Sequence, residues 1–429
     1  MPAILLTIYN LLFAVLLIPA SVVILIFSGK YRKEVFYKLP ERFAFWSKPQ
    51  KSAKKTIWLH CASLGEVRAV EPLIDALCGD YFIVLTTLTK TGREYAEKIN
   101  KTGFTAFLPL DLYPLMCKAF KIINPDLLVL VETELWASML CCAHIKNVKI
   151  MTVNARMSEK TFKFYNLTKF FWKSFAGFID MVLARNEDDA ERFSKLIGGR
   201  TGISVSGNIK YDRDFSVNAS RADFGLKNDD LVFSAGSTRE GEEEIIAASY
   251  KKLREKYKNI KFFTAPRHLS RIEKVKDILK NEGIEFSLFS EVLANKAAEH
   301  NFVLVDVFGK LQSIYAVSDI CFTGGSIVKK GGQNPIEPAA YGKPVLFGKN
   351  MDNFKTESET LVKYGGGIIV SGAADLAETA DKLFSHKDLL IKTGQNALKA
   401  VESQKGAVGI TVKKIKESLT LPPCGEGQG

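Results

Sequence analysis

The chain has 429 residues, of which 47% are hydrophobic and 25% charged, and it carries a formal net charge of +12. This globular composition and length predict two or three domains, and the positive charge fits a protein that lies against anionic lipid. Nucleic acid, the rival partner, is disfavoured because zinc-ligand spacing and ribonucleoprotein-type motifs are both missing from the sequence.

The N-terminal segment is apolar over a long stretch. Residues 3–27 contain no charged side chain, and these 25 residues exceed the roughly 20 that span a bilayer as a helix. Basic residues follow on the C-terminal side: Lys30, Arg32, Lys33 and Lys38. Residues 1–10 contain no Lys or Arg, so the positive-inside rule predicts a single-pass anchor over residues 1–29, with the body on the cytoplasmic side of the inner membrane.

Short apolar runs alternate with amphipathic helical stretches along the rest of the chain. Strands are predicted in the first half at Thr56–His60, Phe82–Thr86, Phe104–Leu108, Asp126–Val131 and Val148–Val153. In the second half they are predicted at Asp230–Ala235, Ile260–Thr264, Phe302–Asp306, Asp319–Thr323 and Pro344–Phe347. Apolar runs that are separated by helices indicate parallel strands covered on both faces.

The two series of strands are divided near the polar segment Asp212–Asp229. The pattern predicts an α/β fold with two doubly wound, Rossmann-like domains, over residues 30–215 and 216–420, facing a cleft. Residues 421–429 are expected to be a disordered tail. Ligands in such sheets bind outside the carboxyl ends of the strands, and polar residues follow predicted strands in both halves.

Residues 160–175 interleave aromatic side chains with lysines. That composition suits a membrane interface, where rings sit at headgroup depth and ammonium groups meet phosphate. Aromatic residues of a helix also commonly pack in an ordinary core, and the sequence leaves both interpretations open.

The first candidate site follows the first predicted strand. Small residues that include Ser63, together with Gly65, open a tight turn into a helix, and Glu66 falls in its first turn. Glu66 either complements the helix dipole or acts as a general base. The dipole is expected to keep the pKa of Glu66 low.

A second acidic cluster ends the fourth predicted strand. Glu132 and Glu134 are two residues apart, so on a strand they face the same way. They are expected either to bind polar groups of a substrate or to form a structural salt bridge with Arg156.

Candidate anion ligands follow two strands of the second half. Ser237 follows one strand and precedes an acidic helical turn, which resembles a helix N-terminal anion site. Arg267 and His268 follow the next strand, and a guanidinium at a strand end pairs well with two phosphate oxygens. Arg-His pairs at a surface are common, however, and mean little alone.

Residues 323–338 are the most informative segment. Gly324 and Gly325 follow a buried strand, and Asn334 and Glu337 lie in or near the first turn of the next helix. Glycines let backbone N–H groups approach a ligand, and Glu337 would repel a phosphate but can accept both hydroxyls of a ribose. The segment is therefore either a nucleotide site or a glycine-rich turn.

A metal site is only weakly indicated. Asp212 and Asp214 form the Asp-x-Asp pattern with which many sugar transferases hold Mg²⁺ on a diphosphate. The pair lies at the predicted link between domains and not at a core strand end. We expect no metal and no cofactor.

Six segments in order resemble the family of Kdo transferases, which add 3-deoxy-D-manno-octulosonic acid (Kdo) to the lipid A precursor. They are His-Cys-Ala-Ser-Leu-Gly-Glu (60–66), Glu-Thr-Glu-Leu-Trp (132–136), Val-Asn-Ala-Arg-Met-Ser (153–158), Gly-Asn-Ile-Lys-Tyr-Asp (207–212), Ala-Pro-Arg-His (265–268) and Gly-Gly-Gln-Asn-Pro-Ile-Glu-Pro (331–338). The resemblance covers nearly the whole chain. Ala137 and Gln333 depart from it, at positions that usually hold proline and histidine.

The resemblance implies a metal-independent, inverting glycosyltransferase of the GT-B type that uses CMP-Kdo as donor. Glu66 would be the base on the acceptor hydroxyl. The expected CMP ligands are Arg267, Asn334, Glu337, Gly324 and Gly325, with Ser237 and His268 beside them. The expected acceptor ligands are Ser63, Gly65, Glu132, Glu134 and Arg156.

Two alternatives compete with this interpretation. One is another GT-B enzyme that uses a UDP-sugar, and the other is a non-catalytic membrane scaffold that retains the fold. The number of Kdo residues transferred and the oligomeric state are not predicted.

Overall fold

The chain folds as two units. Unit 1 comprises residues 1–213 and 405–429, and unit 2 comprises residues 214–404. The computed structural model describes residues 2–27, 36–49, 52–197, 201–295 and 297–420. Two predictions fall on residues outside the described ranges. They are the basic residues Lys30, Arg32 and Lys33 after the predicted anchor, and the predicted tail, residues 421–429.

Unit 1 contains a seven-stranded sheet in the order β3-β2-β1-β4-β5-β6-β7, and all neighbouring strands pair in parallel. Its strands are β1 (Thr56–Cys61), β2 (Phe82–Thr87), β3 (Phe104–Phe107), β4 (Leu127–Val131), β5 (Lys149–Ala155), β6 (Met181–Ala184) and β7 (Gly202–Val205). Trp58 packs in the core on one face of the sheet, and Ile57 and Leu59 pack in the core on the other. Side chains of a strand alternate between faces, so a sheet covered on both sides needs strands that are apolar throughout.

Unit 2 contains a second parallel sheet of seven strands, in the order β10-β11-β9-β8-β12-β13-β14. Its strands are β8 (Leu231–Thr238), β9 (Ile260–Pro266), β10 (Phe286–Leu288), β11 (Phe302–Leu304), β12 (Ile320–Thr323), β13 (Val345–Phe347) and β14 (Gly367–Ile369). This sheet too has a core on each face, with Phe262 packed on one side and Phe263 on the other.

Helices connect the strands. In unit 1 they are α1 (Pro2–Phe27), α2 (Leu64–Leu77), α3 (Lys90–Lys98), α4 (Tyr113–Ile123), α5 (Ala137–Ile145), α6 (Glu159–Leu167), α7 (Lys169–Ala176) and α8 (Glu187–Ile197). In unit 2 they are α9 (Glu242–Lys256), α10 (Ile272–Asn281), α11 (Phe289–Asn295), α12 (Leu311–Val317), α13 (Ile336–Ala340), α14 (Lys355–Tyr364), α15 (Ala373–Ser385) and α16 (Lys387–Glu402). The last helix, α17 (Ala407–Thr420), returns to unit 1.

The sequence predicts α17 in the second domain, but in the structure it belongs to unit 1. Ile415 and Leu419 of this helix pack in the core of unit 1. Lys55 and Lys149 donate from their ammonium groups to the carbonyl oxygens of Leu419 and Ser418, at 2.6 and 2.8 Å. Cations at the last turn satisfy carbonyl groups that have no partner within the helix.

Each sheet has a central point at which the strand order reverses, and in unit 2 β11 also lies between β10 and β9. The central switch point lies between β1 and β4 in unit 1 and between β8 and β12 in unit 2. Parallel sheets bind their ligands outside the carboxyl ends of the strands at this switch point. The segments that follow these four strands are therefore the first place to look for a site in each unit.

Helix α1 is long and apolar enough to cross a membrane, judged by its length and composition, over Ala3–Ser21. Its N-terminal half packs against unit 1, where Leu6 is 8% exposed.

Candidate active site

Glu66 is held at the carboxyl end of β1. Ser63 is the N-cap of α2, and its Oγ accepts from the Glu66 backbone N–H at 3.4 Å. The Glu66 carboxylate accepts from the Ser63 hydroxyl and from the Ala62 backbone N–H, both at 2.7 Å. A Cβ on the exposed Gly65 would meet no atom closer than 3.8 Å, so there is open space around Gly65, the residue before Glu66.

The expectation of a low pKa for Glu66 is wrong. Burial, together with the charges of Glu132 and Glu134, raises the pKa of this carboxyl to about 7, although the hydrogen bonds from Ser63 and Ala62 lower it. Desolvation of the carboxylate therefore outweighs the helix dipole. A carboxylate that ionises near neutral pH is better matched to proton abstraction than one that ionises near pH 4.

Glu132 and Glu134 follow β4, the other strand of the unit 1 switch point. Glu132 has a φ of 62°, a left-handed conformation that is costly for a residue with a Cβ and that recurs at functional sites. Its carboxylate pairs with the ammonium group of Lys210 at 3.1 Å, where the sequence suggested Arg156. Burial raises the pKa of Glu132, but the charges of Lys210, Arg185 and Arg156 bring it below its usual value.

His60 is a member of this cluster that the sequence analysis did not select. It is fully buried in β1, and its Nδ1 lies 3.0 Å from the Thr86 hydroxyl. Its Nε2 lies 3.7 Å from a carboxylate oxygen of Glu134, which also accepts from Trp136 Nε1 at 2.7 Å. In the sequence, a histidine inside an apolar strand resembles an ordinary core residue. Only the contact with Glu134 in the structure shows that His60 belongs to the acidic cluster.

The pKa of Glu66 is expected to fall in Glu132→Gln. The substitution removes a negative charge that raises this pKa and leaves the Lys210 ammonium without its partner, and both changes favour the ionised form of Glu66. Infrared titration of the Glu66 carboxyl, assigned by subtracting spectra of Glu66→Gln, measures the midpoint. The exposed Glu94 gives the control: Glu94→Gln should leave the midpoint near pH 7, and an unchanged midpoint in Glu132→Gln would contradict the electrostatic coupling.

In unit 2 the glycines after β12 serve close packing. A Cβ on Gly324 would lie 2.6 Å from the backbone carbonyl oxygen of Ser237 and from the Thr238 Cα, so only glycine fits. Gly325 has a φ of 69°, which glycine adopts without cost. Ser237 itself has a φ of 57° at a register shift near the end of β8.

The amide groups of this loop are already bound within the chain. Gly324 N–H donates to the Gly236 carbonyl oxygen at 2.8 Å. The buried Glu242 carboxylate accepts from the N–H groups of Gly325, Ser326 and Ile327 at 2.6, 3.0 and 3.0 Å, and also from the Arg239 N–H at 2.9 Å. The expectation that these amides face a ligand is therefore wrong for this structure, since an internal carboxylate occupies them.

Gly324→Ala is expected to destabilise unit 2 by about 2–4 kcal/mol, because its Cβ would overlap backbone atoms that have no room to move. Gly372→Ala is the matched control, since a Cβ there meets no atom within 4 Å. Chemical denaturation of both variants measures the difference. Equal stability of the two variants would contradict the close packing at Gly324.

Cationic side chains gather at the carboxyl ends of β8 and β9. Arg267 and His268 are exposed directly after β9, and a guanidinium nitrogen of Arg239 lies 2.9 Å from His268 Nε2. Burial and the neighbouring charge of Arg267 lower the pKa of Arg239. The guanidinium groups of Arg239 and Arg267 repel each other, and a bound anion would offset this repulsion.

Asn334 and Glu337 are brought together at the start of α13. Asn334 Oδ1 accepts from the Ile336 N–H at 3.1 Å, and its Nδ2 lies 3.4 Å from Glu337 Oε1. A Cβ on Gly325 would lie 3.5 Å from Gln333 Nε2 and 3.6 Å from Arg239 Cγ. The loop before α13 and the cationic cluster thus both border Gly325.

The Asp-x-Asp pair has structural partners. Asp212 accepts from the N–H groups of Gly406 and Val408 at 2.6 Å each, which caps α17, and Asp214 accepts from Ser216 N–H at 2.7 Å. Within the part of the chain that the structure describes, no three His, Cys, Asp or Glu side chains are grouped to hold a metal ion.

Asp212→Ala is expected to lower the free energy of unfolding by about 1–2 kcal/mol, as loss of a helix cap does. Asp212→Asn keeps one acceptor and should lose less. Thermal unfolding of unit 1, followed by its tryptophans, measures both. A loss of metal binding without a loss of stability would contradict the capping role.

Comparison with known proteins decides the family. A sequence model of 3-deoxy-D-manno-octulosonic-acid transferase (kdotransferase) matches residues 37–213. The 3-deoxy-D-manno-octulosonic acid transferase of Haemophilus influenzae is 32% identical over 403 residues, which is 91% of this chain and 93% of that protein. The chain belongs to the Kdo transferase family. The Aquifex aeolicus transferase is 28% identical over 387 residues, 89% of this chain and 99% of that protein.

As a Kdo transferase, the chain is a glycosyltransferase of lipopolysaccharide synthesis. Solved structures agree with a GT-B-like fold. A glycosyltransferase from Rickettsia africae has a TM-score of 0.59 at 16% identity, covering 86% of this chain and all of that chain. UDP-GlcNAc 2-epimerase from Neisseria meningitidis has a TM-score of 0.60 at 13% identity, covering 85% of this chain and all of that chain.

Proposed function

We propose that this Kdo transferase moves Kdo from CMP-Kdo to a lipid A precursor (lipid IVA) at the cytoplasmic face of the inner membrane. The observation that carries the proposal is Glu66, whose pKa is raised to about 7 at the end of a switch-point strand. A carboxyl group with this pKa is partly ionised at cytoplasmic pH, and its ionised form can accept a proton.

The chemistry is an inverting displacement. An acceptor hydroxyl attacks the anomeric carbon of Kdo, the bond from that carbon to the phosphate oxygen breaks, and CMP leaves with the electron pair. Glu66 takes the hydroxyl proton as the new bond forms. The developing phosphate charge is stabilised by the guanidinium groups of Arg267 and Arg239.

The remaining side chains bind the two substrates. Glu337 and Asn334 are suited to ribose hydroxyls, and the cationic cluster at Arg267 and His268 is suited to the phosphate. Ser237, Gly324 and Gly325 shape the floor of that site through their close backbone packing. The acceptor ligands are expected around Glu66: Ser63, Gly65, Glu132, Glu134 and Arg156.

The test is transfer from CMP-Kdo, generated in place, to a tetraacylated lipid A precursor without added metal, read by mass spectrometry. We expect the acceptor mass to rise by whole Kdo units, and the spectrum gives their number. Excess CMP should inhibit and excess UDP should not. Transfer from a UDP-sugar in place of CMP-Kdo would contradict the proposed donor, and folded protein that transfers neither would support the scaffold alternative.

A further inference from the structure

Helix α1 has two different faces over its N-terminal half. One face, with Thr7 as an exposed polar residue beside it, carries six aliphatic side chains that are 48% to 68% exposed: Ile4, Ile8, Leu11, Leu12, Val15 and Leu16. The opposite face is packed against unit 1 and holds the polar residues Tyr9 and Asn10. Leu6, Tyr9 and Asn10 have i, i+3, i+4 spacing, and the exposed aliphatic residues are also spaced as one helix face, so each set forms one stripe.

The packed face is fixed by directed hydrogen bonds. The Tyr9 hydroxyl donates to Asp111 at 2.9 Å, and Asp111 is 1% exposed. Asn10 accepts from the Tyr113 backbone N–H at 2.7 Å and donates to the Ser138 hydroxyl at 3.3 Å. The buried carboxylate of Asp111 would lose one of its donors without Tyr9, so this half of α1 is an integral part of unit 1.

These contacts conflict with a helix that crosses the membrane. In the predicted single-pass arrangement, residues 3–10 begin the spanning segment in the leaflet far from the body, where Tyr9 and Asn10 could not reach Asp111 and Ser138. The described part of α1 beyond Ala14 has 13 residues, 15–27, or about 20 Å of helix, whereas the hydrocarbon core is about 30 Å thick. That part is too short to span the bilayer alone.

A second exposed apolar surface lies on α6 and α7, and α7 packs against α1. On α6 and α7, Phe164, Leu167 and Phe170 are 58%, 87% and 69% exposed. Phe171, next to Phe170 on α7, stacks on the Tyr9 ring of α1 with 5.8 Å between centroids, so the helices are joined. Exposed lysines flank these side chains on the same two helices: Lys160, Lys163 and Lys173. Apolar groups with interleaved ammonium groups fit the headgroup region of an anionic bilayer.

We propose that α1 lies in the plane of the membrane and, together with α6 and α7, forms one surface that inserts into a single anionic leaflet, with the N-terminus on the same side as the body. This replaces the single-pass expectation, and it gives unit 1 a fixed orientation towards a lipid substrate. It rests on the membrane location in the proposed function and not on the identity of the donor.

The topology is tested with an epitope at the N-terminus of the full-length chain. We expect protease to leave the epitope intact in right-side-out spheroplasts and to remove it from inverted vesicles, together with the body. Removal of the epitope in intact spheroplasts would overturn the proposal. Kdo transfer measured in detergent is a separate readout, so a wrong topology and a wrong activity are distinguishable.

The surface is tested by flotation of the purified full-length chain with phosphatidylethanolamine vesicles, with and without phosphatidylglycerol. Leu167→Ser with Phe170→Ser should weaken binding to the anionic vesicles at least about tenfold. Ile391→Ser, at a residue 48% exposed on unit 2, is the matched control and should change little. Unchanged flotation of the double variant, or a change in its oligomeric state instead, would overturn the role of α6 and α7 in lipid binding.

Discussion

Glu66→Gln is expected to lower kcat for Kdo transfer by about 10²–10⁴-fold, the range for loss of a general base. The amide has nearly the shape of the carboxylate, and its oxygen can still accept from Ser63 or Ala62, so the turn after β1 should be kept. The amide cannot take the acceptor proton at neutral pH. Initial rates at saturating CMP-Kdo and acceptor measure the effect.

Glu71→Gln is the matched control for this variant. Glu71 lies on the same helix α2 and accepts from the Tyr95 hydroxyl at 3.0 Å, so the substitution also removes a hydrogen-bonded carboxylate. Its kcat should stay close to that of the wild type. If Glu66→Gln kept wild-type kcat and lost only stability, Glu66 would be a helix cap and another residue would be the base.

Glu242→Ala is expected to lower the free energy of unfolding of unit 2 by at least about 3 kcal/mol. The buried carboxylate accepts four backbone N–H groups, and its removal leaves those donors without a partner away from water. Urea denaturation measures the loss. CMP binding should fall in parallel, because the loop that borders the cationic cluster loses its anchor.

Glu244→Ala is the control that distinguishes the loss of the hydrogen bonds to Glu242 from the loss of one negative charge. Glu244 is an exposed carboxylate in the same first turn of α9, and its removal should change stability by no more than about 0.5 kcal/mol. Equal losses in the two variants would mean that the amides of Gly325 and Ser326 find other acceptors.

The ten strands predicted from the sequence all occur, because a buried parallel strand is recorded locally as a continuous apolar run. Four further strands were missed: β6, β7, β10 and β14. β6 is a buried apolar run that the prediction overlooked, whereas β7, β10 and β14 lie at the ends of their sheets, and β7 is mostly exposed. These edge strands carry little apolar signal, so pairing with a neighbour defines them.

The order of the chain did not predict which unit holds α17. Its assignment depends on Asp212 capping its first turn and on Lys55 and Lys149 at its last, contacts made across roughly 200 residues or more. Amphipathic patterning predicts that such a helix is packed but not which sheet it covers.

The sequence predicts Glu66 and Arg267 next to strand ends, and both lie there in the structure; their roles stay predictions. The partners that set the electrostatics of the candidate site were not predicted. Lys210 meets Glu132 across 78 residues, and Glu242 meets Gly325 across 83. Because burial of Glu66 arises only from the tertiary fold, the helix dipole alone gave the wrong direction for its pKa.

The measurement that tests the central claim most directly is the pH dependence of kcat/KM for Kdo transfer. A base whose pKa is about 7 must be ionised to act, so activity should be full above that pH. Below it, kcat/KM should fall by about tenfold per pH unit, and the residual activity of Glu66→Gln should lack this limb. A wild-type profile that stays flat down to about pH 5, in protein that remains folded, would contradict Glu66 as the base.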